Sequence, residues 1–299
     1  MLIDIDGDPT LAGAQELKAI AVAENLPQSE PSSYVSSALE SDLAKLQLQD
    51  DSDSSLFGIY TAATFQKGKG TFTARDIQRG DLILSERPIF SMTTMTTLNA
   101  LEPLRNISIE AAVRKLSPAH LNSYLSLRNS HNNCSCFGSP LLGIFGTNSF
   151  NVSEGDSGIC LTASRLNHSC SPNAHFGIDP ITGEVHFMAL RTIPRGEEIC
   201  ISYVNRRSVY GRSRRSRQDI LRATYHFTCA CSVCSLSEAK SKRSDARRQR
   251  LNELWEIAGR LTPTQKDQRL NVVKEGIRLL QEEGEFVDAD GFMKDAGPI

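Results

Sequence analysis

The sequence lacks any apolar run near the roughly 18 residues that a membrane-spanning helix requires. Its first ten residues, MLIDIDGDPT, are acidic, whereas a secretory signal begins basic and then becomes apolar. Both absences favour a soluble intracellular protein, in which the eight cysteines are more often metal ligands or buried side chains than disulfides. Aromatic residues are only 6% of the 299-residue chain, but a hydrophobic content of 39% suffices for one large domain or two smaller ones.

A net charge of −2 conceals two oppositely charged regions. Residues 1–55 hold eleven acidic residues and two lysines, so this segment carries −9 and the remainder +7. Its Ser- and Asp-rich composition, poor in aromatics, favours a disordered N-terminal extension with transient helix. Between Asn205 and Arg250, by contrast, thirteen Lys or Arg face three acids. The basic run Arg206–Arg217 is either a solvated helix face or a patch that attracts acidic partners or nucleic acid.

Strand-rich and helical segments alternate from residue 56 onward. The stretch TFTARDIQRGDLILSERPIF alternates in polarity around Gly80 and predicts short strands joined by a turn. A second stretch, EVHFMALRTIPRGEEICISYV, predicts two short strands around a Pro-Arg-Gly turn. Residues 98–130 are predicted to be helical, because apolar residues recur at helical intervals and the pattern restarts at Ser117-Pro118. They are Leu101, Leu104, Ile109, Val113 and Leu116.

Helices dominate the rest of the chain. A basic helix is predicted from Arg212 to Thr224, and two amphipathic helices follow the cysteine-rich segment. The second of these is expected to start at Thr262-Pro263 and to end before Gly284. Their apolar positions are Leu251, Leu254, Trp255, Ala258 and Leu261 in the first, and Leu270, Val273, Ile277 and Leu280 in the second.

A cysteine cluster is the strongest chemical signal. Cys229, Cys231 and Cys234 form C-x-C-x2-C, so three thiolates within six residues can cover one face of a Zn²⁺ ion. A structural zinc site needs four ligands in a tetrahedron. Cys170 is a candidate for the fourth, because it lies in the polar, turn-rich stretch RLNHSCSPNAHF. The alternative is that these cysteines are small buried side chains that happen to cluster.

Three other motifs are weak when each is taken alone. His131, Cys134 and Cys136 lie in a Gly/Ser/Asn loop and favour plain packing, since no fourth ligand offers itself. The triplet Gly68-Lys69-Gly70 lets the backbone approach a ligand closely, but most such triplets are turns, and the third glycine of a dinucleotide-binding motif is missing. Tyr203 ends a predicted strand, where a tyrosine often only packs its ring.

Taken in chain order, these pieces resemble the SET-domain protein lysine methyltransferases. They are the G-x-G of the first hairpin, NSF at Asn148, LNHSCSPN, GEEICISY and YxFxCxCxxC. The resemblance covers about Phe57 to Cys234 and is closest to the SET–MYND-type branch, which shares the cysteine-rich post-SET tail and a long insert. The insert region here lacks the seven Cys and one His of a MYND finger, and the C-terminal helices look shorter than the helical lobe of that branch.

The resemblance implies an α+β fold of small β-sheets with a pseudoknot, a helical insert, a zinc-bound tail and C-terminal helices. The expected divisions follow the motifs. They are an N-terminal extension over 1–55, a SET domain over 56–205 with its insert at about 91–147, a post-SET segment over 206–236 and a helical region over 237–299.

The resemblance also implies the functional residues. The family binds S-adenosylmethionine, and the matching positions in this chain are Gly68, Lys69, Gly70, Asn148, Asn167, His168, Tyr203 and Phe227. Tyr203 matches the catalytic tyrosine, and Phe227 matches the aromatic residue that stacks on adenine. The post-SET Zn²⁺ site is matched by Cys170, Cys229, Cys231 and Cys234, which would close the cofactor and substrate cleft.

The implied activity is S-adenosylmethionine-dependent methylation of a lysine side chain in a histone or non-histone protein, in the nucleus or the cytoplasm and without a membrane partner. Two alternatives stay open: a catalytically inactive SET module that serves as a protein-interaction scaffold, and a zinc module that binds nucleic acid through residues 206–250. The sequence identifies neither the methylated protein nor the number of methyl groups added, and it leaves the oligomeric state unknown.

Overall fold

The computed structural model describes residues 58–64, 67–93, 102–132, 137–153, 155–285 and 292–293. The N-terminal extension expected over residues 1–55 lies outside the described residues, so its predicted disorder stays a prediction. Within the described ranges, no helix is long and apolar enough to cross a membrane.

In the described part of the chain, ten short strands form four small sheets. The strands are β1 (Ile59–Thr64), β2 (Gly68–Thr73), β3 (Leu82–Glu86), β4 (Phe90–Thr93), β5 (Ser149–Ser153), β6 (Asp156–Ile159), β7 (Asn167–His168), β8 (Ala174–Ile178), β9 (Val185–Ala189) and β10 (Cys200–Ile201). Antiparallel pairing joins β1 to β2, β9 to both β3 and β8, and β6 to both β4 and β5. The fourth sheet is a parallel pair of β7 and β10. Together with the helices, these sheets give the mixed α+β fold that was expected.

Among the residues that the structure describes, helices are concentrated in the middle and in the last third of the chain. They are α1 (Glu102–Val113), α2 (Pro118–Leu125), α3 (Pro140–Asn148), α4 (Arg206–Tyr210), α5 (Arg214–Tyr225), α6 (Glu238–Ala258) and α7 (Lys266–Glu282), with a short 3₁₀ turn at Ala163–Arg165. The predicted restart at Ser117-Pro118 is confirmed, because the Ser117 hydroxyl accepts the His120 N–H at 3.2 Å and caps α2.

Helices α1, α2 and α3 pack around one core, to which β4 and β6 contribute Met92 and Ile159. Ile109 and Val113 are buried there with Tyr124 of α2 and Phe145 of α3. Leu104, which the periodicity places on the same face, is instead 53% exposed. It lies in the first turn of α1, whose buried contacts begin farther along the helix.

The C-terminal helices α6 and α7 pack against each other and share one core with the cysteine cluster. Trp255 and Leu280 are buried in the same group as Cys170 and Cys229. The second helix begins at Lys266 rather than at the predicted Thr262-Pro263, because residues 262–265 form a turn in which the Gln265 N–H donates to the Thr262 carbonyl at 3.1 Å.

Two arginines of the basic region are core residues. Arg217 is 1% exposed and Arg248 is 0% exposed. The Arg248 guanidinium pairs with Glu283 at 2.7 Å and donates to the carbonyl oxygens of Val209 at 2.5 Å and Cys170 at 3.5 Å. The basic region is therefore neither a purely solvated face nor a purely exposed patch.

Candidate active site and metal centre

A short parallel pairing assembles the site. Asn167 pairs with Cys200 and His168 with Ile201, which sets the NHSC segment beside the strand that leads to Tyr203. Each of the two strands contributes only two residues, so their hydrogen-bond ladder is weak and needs support from side chains. Asn173 gives that support with its side chain and is 2% exposed. Its Oδ1 accepts the Cys200 N–H at 2.7 Å, and its Nδ2 donates to the Glu198 backbone carbonyl at 2.9 Å. Sequence reasoning missed Asn173 as a positioning residue, although it stands in the quoted SPN.

His168 connects Tyr203 to the cysteine cluster. The Tyr203 N–H donates to its Nδ1 at 3.0 Å, and its Nε2 lies 3.3 Å from the Cys170 Sγ. Burial lowers the pKa of His168 to about 4, so the ring is neutral at pH 7. Because Nδ1 accepts a hydrogen bond, the proton resides on Nε2 and faces the sulfur.

The resemblance implied that Asn167 and His168 together hold the cofactor by side-chain and backbone hydrogen bonds. The orientation of the imidazole bears on which of these His168 can make. The imidazole is committed on both nitrogens, and His168 is not among the residues that line the neighbouring cavity. Only the backbone of His168 is available for the role that the family motif assigns to it.

Four buried thiols converge from two parts of the chain. The Sγ atoms of Cys170, Cys229, Cys231 and Cys234 all lie within 4.8 Å of one another. Cys170 is 3.9 Å from Cys229 and 3.7 Å from Cys234, measured between sulfurs. Zn–S bonds of about 2.3 Å in a tetrahedron separate the sulfurs by about 3.8 Å. The donor set and its spacing therefore fit a closed four-thiolate metal site.

The surroundings of this cluster offset negative charge. Four thiolates around a divalent cation leave a net charge of about −2. The Arg217 guanidinium lies 3.9 Å from the Cys234 Sγ, and the Cys170 N–H donates to the Cys231 Sγ at 3.4 Å. Such outer contacts orient ligands and tune a metal site. Sequence reasoning did not identify Arg217, because a run of arginines predicts an exposed helix face.

A cavity of about 280 Å³ lies next to the cluster. Six of the eight residues that the sequence predicts for cofactor binding line it: Gly68, Lys69, Asn148, Asn167, Tyr203 and Phe227. Gly70 and His168 do not. Gly70 has a packing role, since a Cβ there would stand 2.7 Å from both the Asn167 amide nitrogen and a Glu198 carboxylate oxygen. The missing side chain lets the hairpin approach Asn167.

Polar side chains hold the hairpin in place along one side of the cavity. The Asn167 amide donates to the Lys69 carbonyl at 3.2 Å and to Glu198 at 2.7 Å. The same carboxylate pairs with Lys67 at 2.8 Å. Asn148 acts similarly at the end of α3, because its amide donates to the Arg128 and Ile144 carbonyls at 2.7 and 2.6 Å. Glu198 was missed, although it stands in the quoted GEEICISY.

Three aromatic rings form part of the cavity wall. Tyr203 lies between Tyr225 and Phe227, with ring centroids 5.1 and 6.3 Å away. The Tyr203 hydroxyl donates to the Leu166 carbonyl at 2.8 Å, and the Tyr225 hydroxyl donates to the Tyr203 carbonyl at 3.0 Å. Burial raises the pKa of both tyrosines, so both hydroxyls stay protonated at pH 7. Tyr225 was missed, although it is the first residue of the quoted YxFxCxCxxC.

Comparison with known proteins identifies the fold around this cavity. A family model described as "SET domain" matches residues 68–204. The chain contains a SET domain. The matched range begins at the hairpin glycine and ends one residue after Tyr203, so the SET domain supplies Cys170 while the other three cysteines and Phe227 follow it.

Relatives agree with the resemblance to the SET–MYND-type branch. The Schizosaccharomyces pombe histone-lysine N-methyltransferase set5 is 33% identical over 186 residues, 62% of this chain and 53% of that protein. The Danio rerio protein-lysine N-trimethyltransferase SMYD5 is 46% identical over 78 residues, 26% of this chain and 19% of that protein. The chain thus spans about half the length of the first relative and about a fifth of the second.

A solved Plasmodium falciparum structure covers 48% of this chain and 96% of its own, with 19% identity and a TM-score of 0.26. That likeness supports no conclusion about this SET domain.

Proposed function

We propose that this SET domain transfers a methyl group from S-adenosylmethionine to the side-chain amine of a lysine in a protein. The observation that supports this proposal is the set of residues that line the cavity. The cavity is lined by the Gly68-Lys69 backbone, Asn167, Tyr203 and Phe227, which are far apart in the sequence and which all match the family motifs. The names of the two relatives support the same reaction class.

The lining of the cavity suits the cofactor. Phe227 offers an aromatic face on which adenine can stack, and the hairpin offers backbone groups at Gly68 and Lys69. Asn167 fixes that hairpin through the Lys69 carbonyl. When bound, S-adenosylmethionine supplies a methyl group on a positively charged sulfonium.

The protein's part in the reaction is chiefly positioning. The attacking lysine must be neutral, and removing its proton at pH 7 costs roughly 4–5 kcal/mol from a free pKa near 10.4. The aromatic wall of Tyr203, Tyr225 and Phe227 excludes water and so lowers the pKa of an amine held against it.

Tyr203 is suited to orient the amine rather than to remove its proton. Its own hydrogen is committed to the Leu166 carbonyl, and burial raises its pKa. The hydroxyl oxygen therefore acts as a hydrogen-bond acceptor, which can hold an N–H of the lysine or a C–H of the transferring methyl group.

The metal in our proposal is Zn²⁺ held by Cys170, Cys229, Cys231 and Cys234. All four positions of a tetrahedron are then taken by protein, which is the arrangement of a structural site rather than a catalytic one. Its task is to hold the tail that carries Tyr225 and Phe227 against the NHSC turn.

The proposed substrate is a lysine-containing segment of a histone or of another nuclear or cytoplasmic protein. Nucleic acid is a less supported partner, because three arginines of the basic region have internal partners. Arg217 lies against Cys234, Arg248 pairs with Glu283 in the core, and Arg250 pairs with Glu275 at 2.8 Å.

The test is to incubate the chain with methyl-labelled S-adenosylmethionine and nuclear or cytoplasmic extract, and to identify labelled peptides by mass spectrometry. We expect label on lysine, with Tyr203→Phe as the matched control of low activity. Cofactor binding by calorimetry without any labelled lysine would contradict the proposal and favour the inactive scaffold. A salt-dependent shift of a DNA probe, with neither cofactor binding nor labelled lysine, would favour the nucleic-acid module.

A further inference from the structure

Two histidines face each other at the edge of the cavity, outside the cysteine cluster. His131 follows α2, and His226 stands between Tyr225 and Phe227. The His226 Nε2 lies 3.1 Å from the His131 Nδ1, with ring planes at 87°. His131 was grouped with Cys134 and Cys136 in the sequence, but both cysteines lie outside the described residues. The facing partner is His226, which no sequence spacing indicates.

The backbone of His226 is unusual. Its φ of 56° and ψ of 33° make it the one non-glycine residue with positive φ in the described ranges. It follows the last residue of α5, and its N–H donates to the Arg222 carbonyl at 3.1 Å. Glycine is the usual residue at such a helix end, because a Cβ is disfavoured there. A disfavoured conformation that the fold maintains is a reason to ask what the imidazole does.

His131 is held in a fixed and uncharged state. Its backbone N–H donates to the Asn129 Oδ1 at 2.8 Å, and its ring packs edge-on against Phe137 with centroids 4.4 Å apart. Burial, assisted by the neighbouring His226, lowers the pKa of His131 to about 4. The neutral ring is the form that binds metal ions. His226 is exposed, which leaves the pair accessible to solvent.

The distance between the two nitrogens fits a shared ion. Zn–N bonds of about 2.0–2.1 Å at a tetrahedral angle separate two ligand nitrogens by about 3.3–3.4 Å. The observed 3.1 Å is short of that by about 0.2–0.3 Å, a change that a small rotation of the exposed His226 ring supplies.

We propose that His131 and His226 together bind a divalent transition-metal ion of the kind that prefers imidazole, such as Zn²⁺, Ni²⁺ or Cu²⁺. Water completes the coordination, so this second site is weaker than the four-thiolate site. The ion ties the loop after α2 to the tail. Arg128 and Ser130 on one side, and Tyr225 and Phe227 on the other, line the cavity. Metal at this pair therefore stiffens the cavity wall.

The experiment uses the full chain carrying one equivalent of Zn²⁺ and titrates further Zn²⁺ by calorimetry. The inference does not depend on methyl transfer, since the readout is metal binding alone. We expect a second equivalent in the unmodified chain. We expect the affinity for it to fall at least about 10-fold in His226→Gly and in His131→Gln, since even the loss of an outer-shell partner costs 10–100-fold in metal affinity.

His226→Gly is the sharper variant, because glycine adopts positive φ without strain and the fold should persist. Retention of the first equivalent and an unchanged melting temperature check this. The matched control is His120→Gln, an exposed histidine on α2, which should leave both equivalents in place. Binding of only one equivalent by the unmodified chain would overturn the proposal, as would a second equivalent that persists unchanged in His226→Gly. Either result would reduce the pair to a hydrogen bond between two side chains.

Discussion

At the scale of single residues, the hydroxyl of Tyr203 tests the proposed reaction. Tyr203→Phe keeps the ring that packs between Tyr225 and Phe227 and removes only the hydroxyl. An interaction made mainly in the transition state changes kcat rather than ground-state affinity. We expect S-adenosylmethionine affinity within a few-fold of the unmodified chain, and methyl transfer lowered at least about 10-fold, or about 1.4 kcal/mol of barrier.

The structure indicates that Tyr203→Phe should also lower the stability of the fold. The Leu166 carbonyl loses its 2.8 Å donor, so the free energy of unfolding should fall by about 0.5–1.5 kcal/mol. Calorimetry, a transfer assay on an identified substrate and urea unfolding measure the three quantities separately. Full turnover by Tyr203→Phe would leave this tyrosine with a packing role alone.

Phe227 tests cofactor binding at the same scale. It lines the cavity, and its expected role is to stack on adenine. Phe227→Ala should weaken S-adenosylmethionine binding by about 1–3 kcal/mol, the scale measured for bases stacked on aromatic side chains. Phe227→Leu retains apolar bulk without the ring and should lose most of the same affinity. If calorimetry finds the Ala variant binding as tightly as the unmodified chain, Phe227 does not contact the cofactor.

At the scale of elements, the cysteine cluster joins the NHSC turn to the tail. Cys170 and Cys231 are 61 positions apart, so a bound ion closes a long loop as well as filling a site. Apparent zinc binding in small modules is about 10–16 kcal/mol and is coupled to folding. After dialysis that removes weakly held metal, we expect one equivalent of zinc in the unmodified chain and none in Cys231→Ser.

The loss of zinc should also weaken cofactor binding, because Tyr225 and Phe227 immediately precede the cysteine triplet. The matched control is Cys160→Ser, which alters a buried cysteine outside the cluster and should keep its zinc. If metal analysis finds no zinc in the dialysed unmodified chain, the assignment of the four cysteines as a zinc site is wrong.

At the scale of the whole molecule, Arg248 attaches the C-terminal helices to the SET domain. Its guanidinium pairs with Glu283 and donates to the Cys170 carbonyl. Removing one partner of a buried pair typically costs about 3–5 kcal/mol. In urea unfolding, Arg248→Met should lower the free energy of unfolding by an amount at the low end of that range, because Arg247 still pairs with Glu283 at 2.5 Å.

Arg247→Met is the comparison for this prediction. Arg247 is more exposed than Arg248, and partly solvated pairs contribute about 0–1 kcal/mol. Equal losses of stability in the two variants would mean that Arg248 does not hold the helices in the way described.

The accuracy of sequence reasoning differed between short-range and long-range features. Local patterns predict the short strands on either side of Gly80 and the helix restart at Ser117-Pro118, and the structure has both. They also predict a basic helix from Arg212 to Thr224, which the structure has at Arg214–Tyr225. Two predictions were wrong: that Leu104 packs on the apolar face of its helix, and that the last helix starts at Thr262-Pro263. The first depends on which turn of α1 meets its neighbours, and the second on the turn that residues 262–265 form before α7. The pseudoknot stays a prediction, since strand pairings alone do not describe threading.

The sequence by itself determined the SET domain, the four converging cysteines and six of the residues that line the cavity, because these are carried by residue types in a fixed order. Only the tertiary structure decided where individual side chains point. It turned His168 toward Cys170, buried Arg217 beside the thiols and set His226 against His131. Each of these contacts joins segments brought together by folding or depends on a ring orientation that local propensity does not encode. Periodicity and spacing report on neighbours within a few residues, whereas partners such as His131 and His226 are 95 positions apart.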